Sequence, residues 1–134
     1  MLLCADIFVN YLEEKELKYT VNVDDDGDVI VDFPYQGKIT KCIFTGDEGK
    51  YLSFYQIFEN VPLDKQAAMI LLCNELNTAY KWVTFYVDDD NDLMLHNDAI
   101  LCPDCAGDEA FELLLRLVNI ADECKPKIMK ALYA

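Results

Sequence analysis

Two alternating runs of residues meet at Asp24-Asp25-Asp26-Gly27-Asp28. Before this acidic turn, Tyr19, Val21 and Val23 alternate with Lys18, Thr20 and Asn22. After it, Val29, Val31 and Phe33 alternate with Asp28, Ile30 and Asp32. A period of two sends the apolar set to one face of a pleated strand. Asp-Gly between such runs predicts a β-hairpin, because glycine accepts the positive φ of a tight turn. The construction recurs further on, as Trp82 to Val87, then Asp88-Asp89-Asp90-Asn91-Asp92, then Leu93 to His96. Two hairpins of one kind explain this echo without an internal duplication.

Hairpins commit a sheet to antiparallel pairing, and the remaining segments fit around them. Residues 2–14 have helical spacing, with Leu3, Ile7 and Tyr11 on one face, Phe8 and Leu12 beside them, and Asp6, Asn10 and Glu13 opposite. Pro34 to Gly37 ends the second strand. Strands are predicted over 39–45 and 50–58, with Gly46 to Gly49 turning between them. Asn60-Val61-Pro62 opens a second helix, with Asn60 as its cap, running to about Ala79 and burying Met69, Leu72, Cys73 and Leu76. A last helix starts near Asp104 or Asp108 and carries Phe111, Leu114, Leu115 and Val118 inward. Pro126 is expected to break or kink it, with Ile128, Met129 and Leu132 continuing the apolar face. The order is helix, four strands, helix, two strands, helix. No strand–helix–strand alternation appears, so the class is α+β, an antiparallel sheet with helices packed on it. No linker or low-complexity tract divides residues 1–134, which read as a single domain.

Charge narrows the partners. The formal net charge is −14, with one arginine, Arg116, and no basic cluster. Phosphate backbones and anionic lipid surfaces repel such a chain, so neither nucleic acid nor a membrane surface is an expected partner. The start has no basic region, Asp6 and Asn10 interrupt its apolar residues, and no apolar run approaches the roughly 20 residues of a membrane span. The expected compartment is the cytoplasm. The six cysteines, Cys4, Cys42, Cys73, Cys102, Cys105 and Cys124, then read as reduced thiols, four of them in apolar stretches where cysteine acts as a small hydrophobe. Apolar residues make up 53% of the chain, which fills a core and leaves apolar surface for a partner.

Candidate chemistry is sparse. In the first acidic turn, Asn22, Asp24, Asp26 and Gly27 match positions 1, 3, 5 and 6 of a calcium loop, but Phe33 falls where the bidentate glutamate belongs. Tyr86, Asp88, Asp90 and Asn91 match worse, and strands flank both loops. The turns therefore read as solvated hairpin loops. Cys102-Pro103-Asp104-Cys105 at a helix start has the spacing of a disulfide-exchange pair. It lacks the strand–helix–strand context of the thioredoxin type, and Asp104, Asp108 and Glu109 disfavour a thiolate. A zinc site would need two further ligands, His96 and a carboxylate. His96 is the one histidine, Ser53 the one serine, and no nucleophile–base motif or glycine-rich phosphate loop accompanies them. No catalytic residue, cofactor site, metal site or small-molecule pocket is indicated. The aromatic residues Tyr51, Phe54, Tyr55, Phe58, Trp82, Phe85 and Tyr86 read as sheet core, with part of the set left for a partner or a second copy.

With this layout, the chain resembles the YbjN family of small bacterial proteins. Pro62-Leu63-Asp64-Lys65-Gln66-Ala67-Ala68 opening the middle helix, Asn74-Glu75-Leu76-Asn77 near its end, the strand from Trp82 to Val87, Leu93-Met94-Leu95, and the Val23 to Asp28 hairpin carry the resemblance, which spans about residues 3 to 132. It implies a fold like that of type III secretion chaperones, which are usually homodimers that bind other proteins and catalyse nothing. The family carries the label of a sensory transduction regulator and supplies no catalytic residues. Cys102-Pro103-Asp104-Cys105 is not part of its pattern. The expected function is a non-enzymatic protein-interaction domain, chaperone-like or regulatory, acting as a homodimer. The alternative is a thiol redox or zinc protein centred on Cys102 and Cys105.

Overall fold

The two acidic turns fold as near copies of each other. Asp24 Oδ1 accepts hydrogen bonds from the backbone N–H groups of Asp26 and Asp28, at 2.9 and 3.0 Å. Asp88 Oδ1 accepts the same pair from Asp90 and Asp92, at 3.0 and 2.9 Å. In each, the fourth residue takes a left-handed backbone, Gly27 at φ 86° and Asn91 at φ 65°. Asparagine tolerates that region better than most residues, so the two sequences build one turn. An aspartate at the head of each turn thus supplies acceptors for backbone donors that no strand partner reaches. Asp24→Ala and Asp88→Ala are each expected to lower the unfolding free energy by about 1–2 kcal/mol. Asp→Asn at either position should retain most of it. Urea midpoints measure this, and wild-type midpoints in both alanine variants would refute the bracing role.

The structure is a computed structural model describing residues 1–134. Helix α1 spans Leu3–Glu14, α2 Gln66–Ala79 and α3 Ala106–Tyr133. The strands are β1 Thr20–Val23, β2 Val29–Tyr35, β3 Lys38–Thr45, β4 Tyr51–Asn60, β5 Thr84–Val87 and β6 Asp92–Ile100. They form one sheet in the order β1-β2-β3-β4-β6-β5, antiparallel at every pairing. This is the α+β layout that the hairpins predict. Pro34 lies inside β2, but β1 ends opposite Asp32, so its missing N–H faces no partner strand on that side. The hairpin after it turns on Gln36 and Gly37, both at positive φ.

Alternation then assigns the faces. Val29, Val31, Phe33, Cys42, Phe44, Leu52, Phe54, Phe85, Leu93 and Leu95 point inward and are buried with side chains from all three helices. Thr40 and Gln56 are the buried polar pair, directly opposed across β3 and β4, with Gln56 Nε2 donating to Thr40 Oγ1 at 3.1 Å. A bulge at Phe58 in β4 adds one residue between Ile57 and Glu59, which keeps Phe58 inward as the strand leaves the sheet.

Four local expectations change, the first being Leu115, which is exposed while Leu117 takes the inward place on α3. The inner face of α1 is Cys4, Ala5, Phe8 and Leu12, whereas Leu3 is exposed and Ile7 and Tyr11 are half-buried. Cys4 counts as an apolar residue here, and that rotates the stripe. Asn60 does not cap α2. It ends β4 and its amide donates to Asp92 Oδ1 at 3.1 Å across the strand pair, while a single 3-10 turn over Leu63–Lys65 leads into the helix. Pro126 does not break α3, which runs 28 residues through it. Pro126 and Asp122, whose carbonyl loses its bonding partner, both lie on the exposed side, where water replaces the bond. No helix is long and apolar enough to cross a membrane.

Candidate interaction surfaces

All three helices cover one face of the sheet, so the outward set of each strand is left without a covering layer. The register arranges that set in rows. Pro34 lies opposite Ile39, and Met94 lies opposite both Ile57 and Tyr86. Since Thr40 pairs with Gln56, Ile39 and Ile57 are neighbours as well. An apolar band therefore crosses five strands, from β2 to β5. Ile39 and Ile57 are 54% and 55% exposed, while Met94 is 8% exposed and Tyr55 and Tyr86 are half-buried. A shallow depression of about 460 Å³ sits in the band, lined by Gly37, Ile39, Lys41, Tyr55, Ile57 and Met94 among others. Two cations border it, Lys41, held by Asp32 at 3.1 Å, and Lys38, 3.6 Å from Glu59. The aromatic residues split by position along their strands. Phe54, Phe58 and Phe85 enter the core, while Tyr51, Trp82, Tyr55 and Tyr86 stay outside or half-buried.

One row over lies His96. Its ring stacks on Tyr55, with centroids 4.5 Å apart and planes 6° from parallel, and meets Tyr86 edge-on at 6.3 Å. Nε2 of His96 is 2.9 Å from Asp98 Oδ1, and the Ser53 hydroxyl donates to the same oxygen at 2.7 Å. Burial acts to raise the Asp98 carboxyl, but the bonds from Ser53 and His96 outweigh it and hold the group below the usual carboxylate range. Histidine, aspartate and serine are therefore together, yet both partners address the carboxylate and the serine does not face the imidazole. That order orients no nucleophile. His96 is also absent from the lining of the depression.

Helix α2 offers a second uncovered apolar face. Met69, Cys73 and Leu76 go inward. Ile70 and Leu71 point out with Leu63 of the preceding turn, and Leu71 is 73% exposed. The helix carries one charged residue, Glu75, among 14, in a chain of net charge −14. Charge depletion of this kind is what protein interfaces show at their centres.

The remaining candidates fall in separate places. Asp24, Asp26 and Asp28 bring carboxylate oxygens within 4.8 Å of one another, so Asp28 takes the place that the sequence template gave to Asn22. One oxygen of Asp24 is already engaged by the turn's own N–H groups. Cys102 and Cys105 stand at the entry to α3 with their sulfurs 3.0 Å apart. His96, engaged with Asp98 on the open sheet, does not join them, and Glu109 stands beside Cys105. Cys4, Cys42, Cys73 and Cys124 are buried. Burial raises the thiols of all four, that of Cys73 to about 11.

A six-stranded antiparallel sheet with three helices on one face and an apolar outer face defines an α+β fold of the type III secretion chaperone kind. Solved structures agree with this. A chain in the crystal structure of the Yersinia pestis type III secretion chaperone SycH, in complex with a stable fragment of YscM2, superposes with a TM-score of 0.58 at 16% identity, covering 90% of this chain and 98% of that one. A chain of the heterodimeric complex ExoU-SpcU, from the type III secretion system of Pseudomonas aeruginosa, gives a TM-score of 0.54 at 17% identity, covering 92% and 96%. The sequence itself belongs to the YbjN family, described as "Putative bacterial sensory transduction regulator", whose pattern matches residues 5–123. No curated protein matches it.

Proposed function

We propose that residues 1–134 form a single non-enzymatic protein-interaction domain, chaperone-like or regulatory, that works as a cytoplasmic homodimer. The observation that carries this reading is the apolar band across the open face of the sheet, from Pro34 to Tyr86. A sheet face with that composition is expensive to leave in water, and a protein segment laid across it removes the apolar area. The structures of similar fold, solved as complexes with other proteins, support a protein partner. The net charge of −14 argues against nucleic acid as that partner. Self-association is assigned to the outer face of α2, which leaves the sheet free for the second protein.

The test is capture from the native bacterial cytoplasm, with the open face altered and the fold intact. Ile57 is half exposed and has no place in the core, so Ile57→Glu should fold normally. Wild-type protein is expected to retain a specific partner that Ile57→Glu loses by tenfold or more. A partner retained equally by both would remove the sheet face from the proposal. Absence of any partner would count against the function itself.

The alternative centred on Cys102 and Cys105 gains no support for its zinc form, because His96 is held by Asp98 on the open sheet. Its thiol form stands on separate geometry.

A further inference from the structure

Two of the six thiols differ from the rest. Cys102 is exposed and Cys105 is half-buried, whereas Cys4, Cys42, Cys73 and Cys124 are inside the core. The two accessible sulfurs are 3.0 Å apart, within about 1 Å of the length of a disulfide bond. The backbone already has the turn that such a bridge needs. Cys102 is extended, at φ −114° and ψ 152°, and its carbonyl accepts from the N–H of Cys105 at 3.3 Å. Pro103 fixes the intervening φ, so little chain entropy remains to be lost on closure. The segment is held at both ends, by the buried Leu101, whose N–H donates to the Lys50 carbonyl at 2.7 Å, and by the buried Ala106. A rigid frame therefore holds two adjacent sulfurs at the surface, Cys102 exposed and Cys105 half-buried.

We propose that Cys102 and Cys105 form a reversible oxidative modification site, closed to an intramolecular disulfide by low-molecular-weight disulfides. The steps follow from access. The exposed Cys102 thiolate attacks one sulfur of the small disulfide, whose sulfur–sulfur bond breaks. A mixed disulfide remains on Cys102 and one small thiolate departs. Cys105 then attacks the Cys102 sulfur and expels the second small thiolate. Each departing thiolate takes up a proton that the protein thiols release. The protein loses two protons and two electrons, and one small disulfide is reduced to two thiols. Cys105 suits the second role. Its hydrogen bonding with Cys102, and then with Glu109, pushes its thiol up to about 12 in the reduced pair, so it keeps its proton until Cys102 is carried in the mixed disulfide and the bonding between the two thiols ends. Glu109 stands ready to receive that proton. Bridge formation leaves both hairpins, the sheet face and α2 untouched, so this site is independent of the protein-binding proposal.

The experiment equilibrates the folded full chain in buffers of varied reduced-to-oxidised glutathione ratio. Accessible thiols are then alkylated with iodoacetamide without denaturant, and the intact mass is measured. Under reducing buffer, labels are expected on Cys102 and Cys105. Under oxidising buffer, both labels should be lost, the chain should remain uncrosslinked to other chains and carry no glutathione, and dithiothreitol should restore both. Cys105→Ser should stop at a glutathione adduct on Cys102. Two labels at every ratio would overturn the proposal, as would oxidation that yields only chain-to-chain crosslinks or a Cys105→Ser chain with no adduct. Those outcomes leave partner capture by the sheet face unaffected, so the two proposals fail separately.

Discussion

Phe44→Ala is expected to remove about 3–5 kcal/mol from the unfolding free energy. Phe44 is fully buried on β3, near the middle of the sheet, and its ring lies 5.5 Å from that of Phe8 on α1. Truncation therefore removes the transfer energy of a phenyl group and leaves a cavity bounded by a helix and two strands. Neither wall is free to collapse inward. β3 is bonded on both edges, to β2 and β4. The turn that follows it is fixed by Gly49, which sits at φ 71° under Leu2 with no room for a Cβ. Domains of this size are stable by about 5–15 kcal/mol, so this one substitution removes a large share of the total. Ile43→Ala, next along β3 but on the open face, is the control. It should cost no more than about 1 kcal/mol, since its side chain already meets water on one side. Urea unfolding followed by circular dichroism separates the two. Equal midpoint shifts in both variants would mean that the assignment of inner and outer faces is wrong.

That assignment was legible in the sequence for some strands and not for others, for a physical reason. β2 is read directly, because Val29, Val31 and Phe33 alternate with residues that include two aspartates. β3 and β4 are apolar at adjacent positions, as in Ile43-Phe44 and Ile57-Phe58, so period two cannot say which residue of a pair is inside. Only the register, set by the turns and by the bulge at Phe58, decides it. The apolar band was hidden for the same reason. Its members lie far apart along the chain, at Pro34, Ile39, Ile57, Met94 and Tyr86, and become a surface only once five strands pair. The one available signal was the surplus of apolar positions in β3, β4 and β6 beyond what one buried face requires. The α2 surface was more visible, since Ile70-Leu71-Leu72 is apolar right around the helix while only one stripe meets the core. The reading of Pro126 as a break failed because the rule concerns a lost hydrogen bond, and an exposed carbonyl exchanges that bond for water at small cost. Cys102 and Cys105 were found by spacing, but their isolation from His96 is a fact of topology. The histidine sits mid-strand on the far face, while the thiols follow the strand end.

The second large effect concerns α2. The double variant Ile70→Glu and Leu71→Glu is expected to convert the proposed homodimer into a monomer at micromolar concentration, as measured by light scattering coupled to size exclusion. Leu63, Ile70 and Leu71 occupy the outward side of one helix and its entry turn, and an apolar patch of that shape is satisfied by a two-fold copy of itself. In an interface of this kind each side chain introduced lies close to its own counterpart across the axis. Four carboxylates would then be brought out of water near one another, in a chain that already carries −14 per copy. Uncompensated burial of a charge costs several kcal/mol per ion, so the dissociation constant should rise by at least a thousandfold. The fold should not suffer, since neither residue belongs to the core, and the urea midpoint of the monomer provides that check. Ile57→Glu on the open sheet should remain dimeric. If Ile57→Glu monomerises while the α2 double variant stays dimeric, the sheet face and not the helix face is shared between copies, and the partner must bind elsewhere. If wild-type protein is already a monomer at these concentrations, the α2 surface is free for a different protein and the homodimer is refuted.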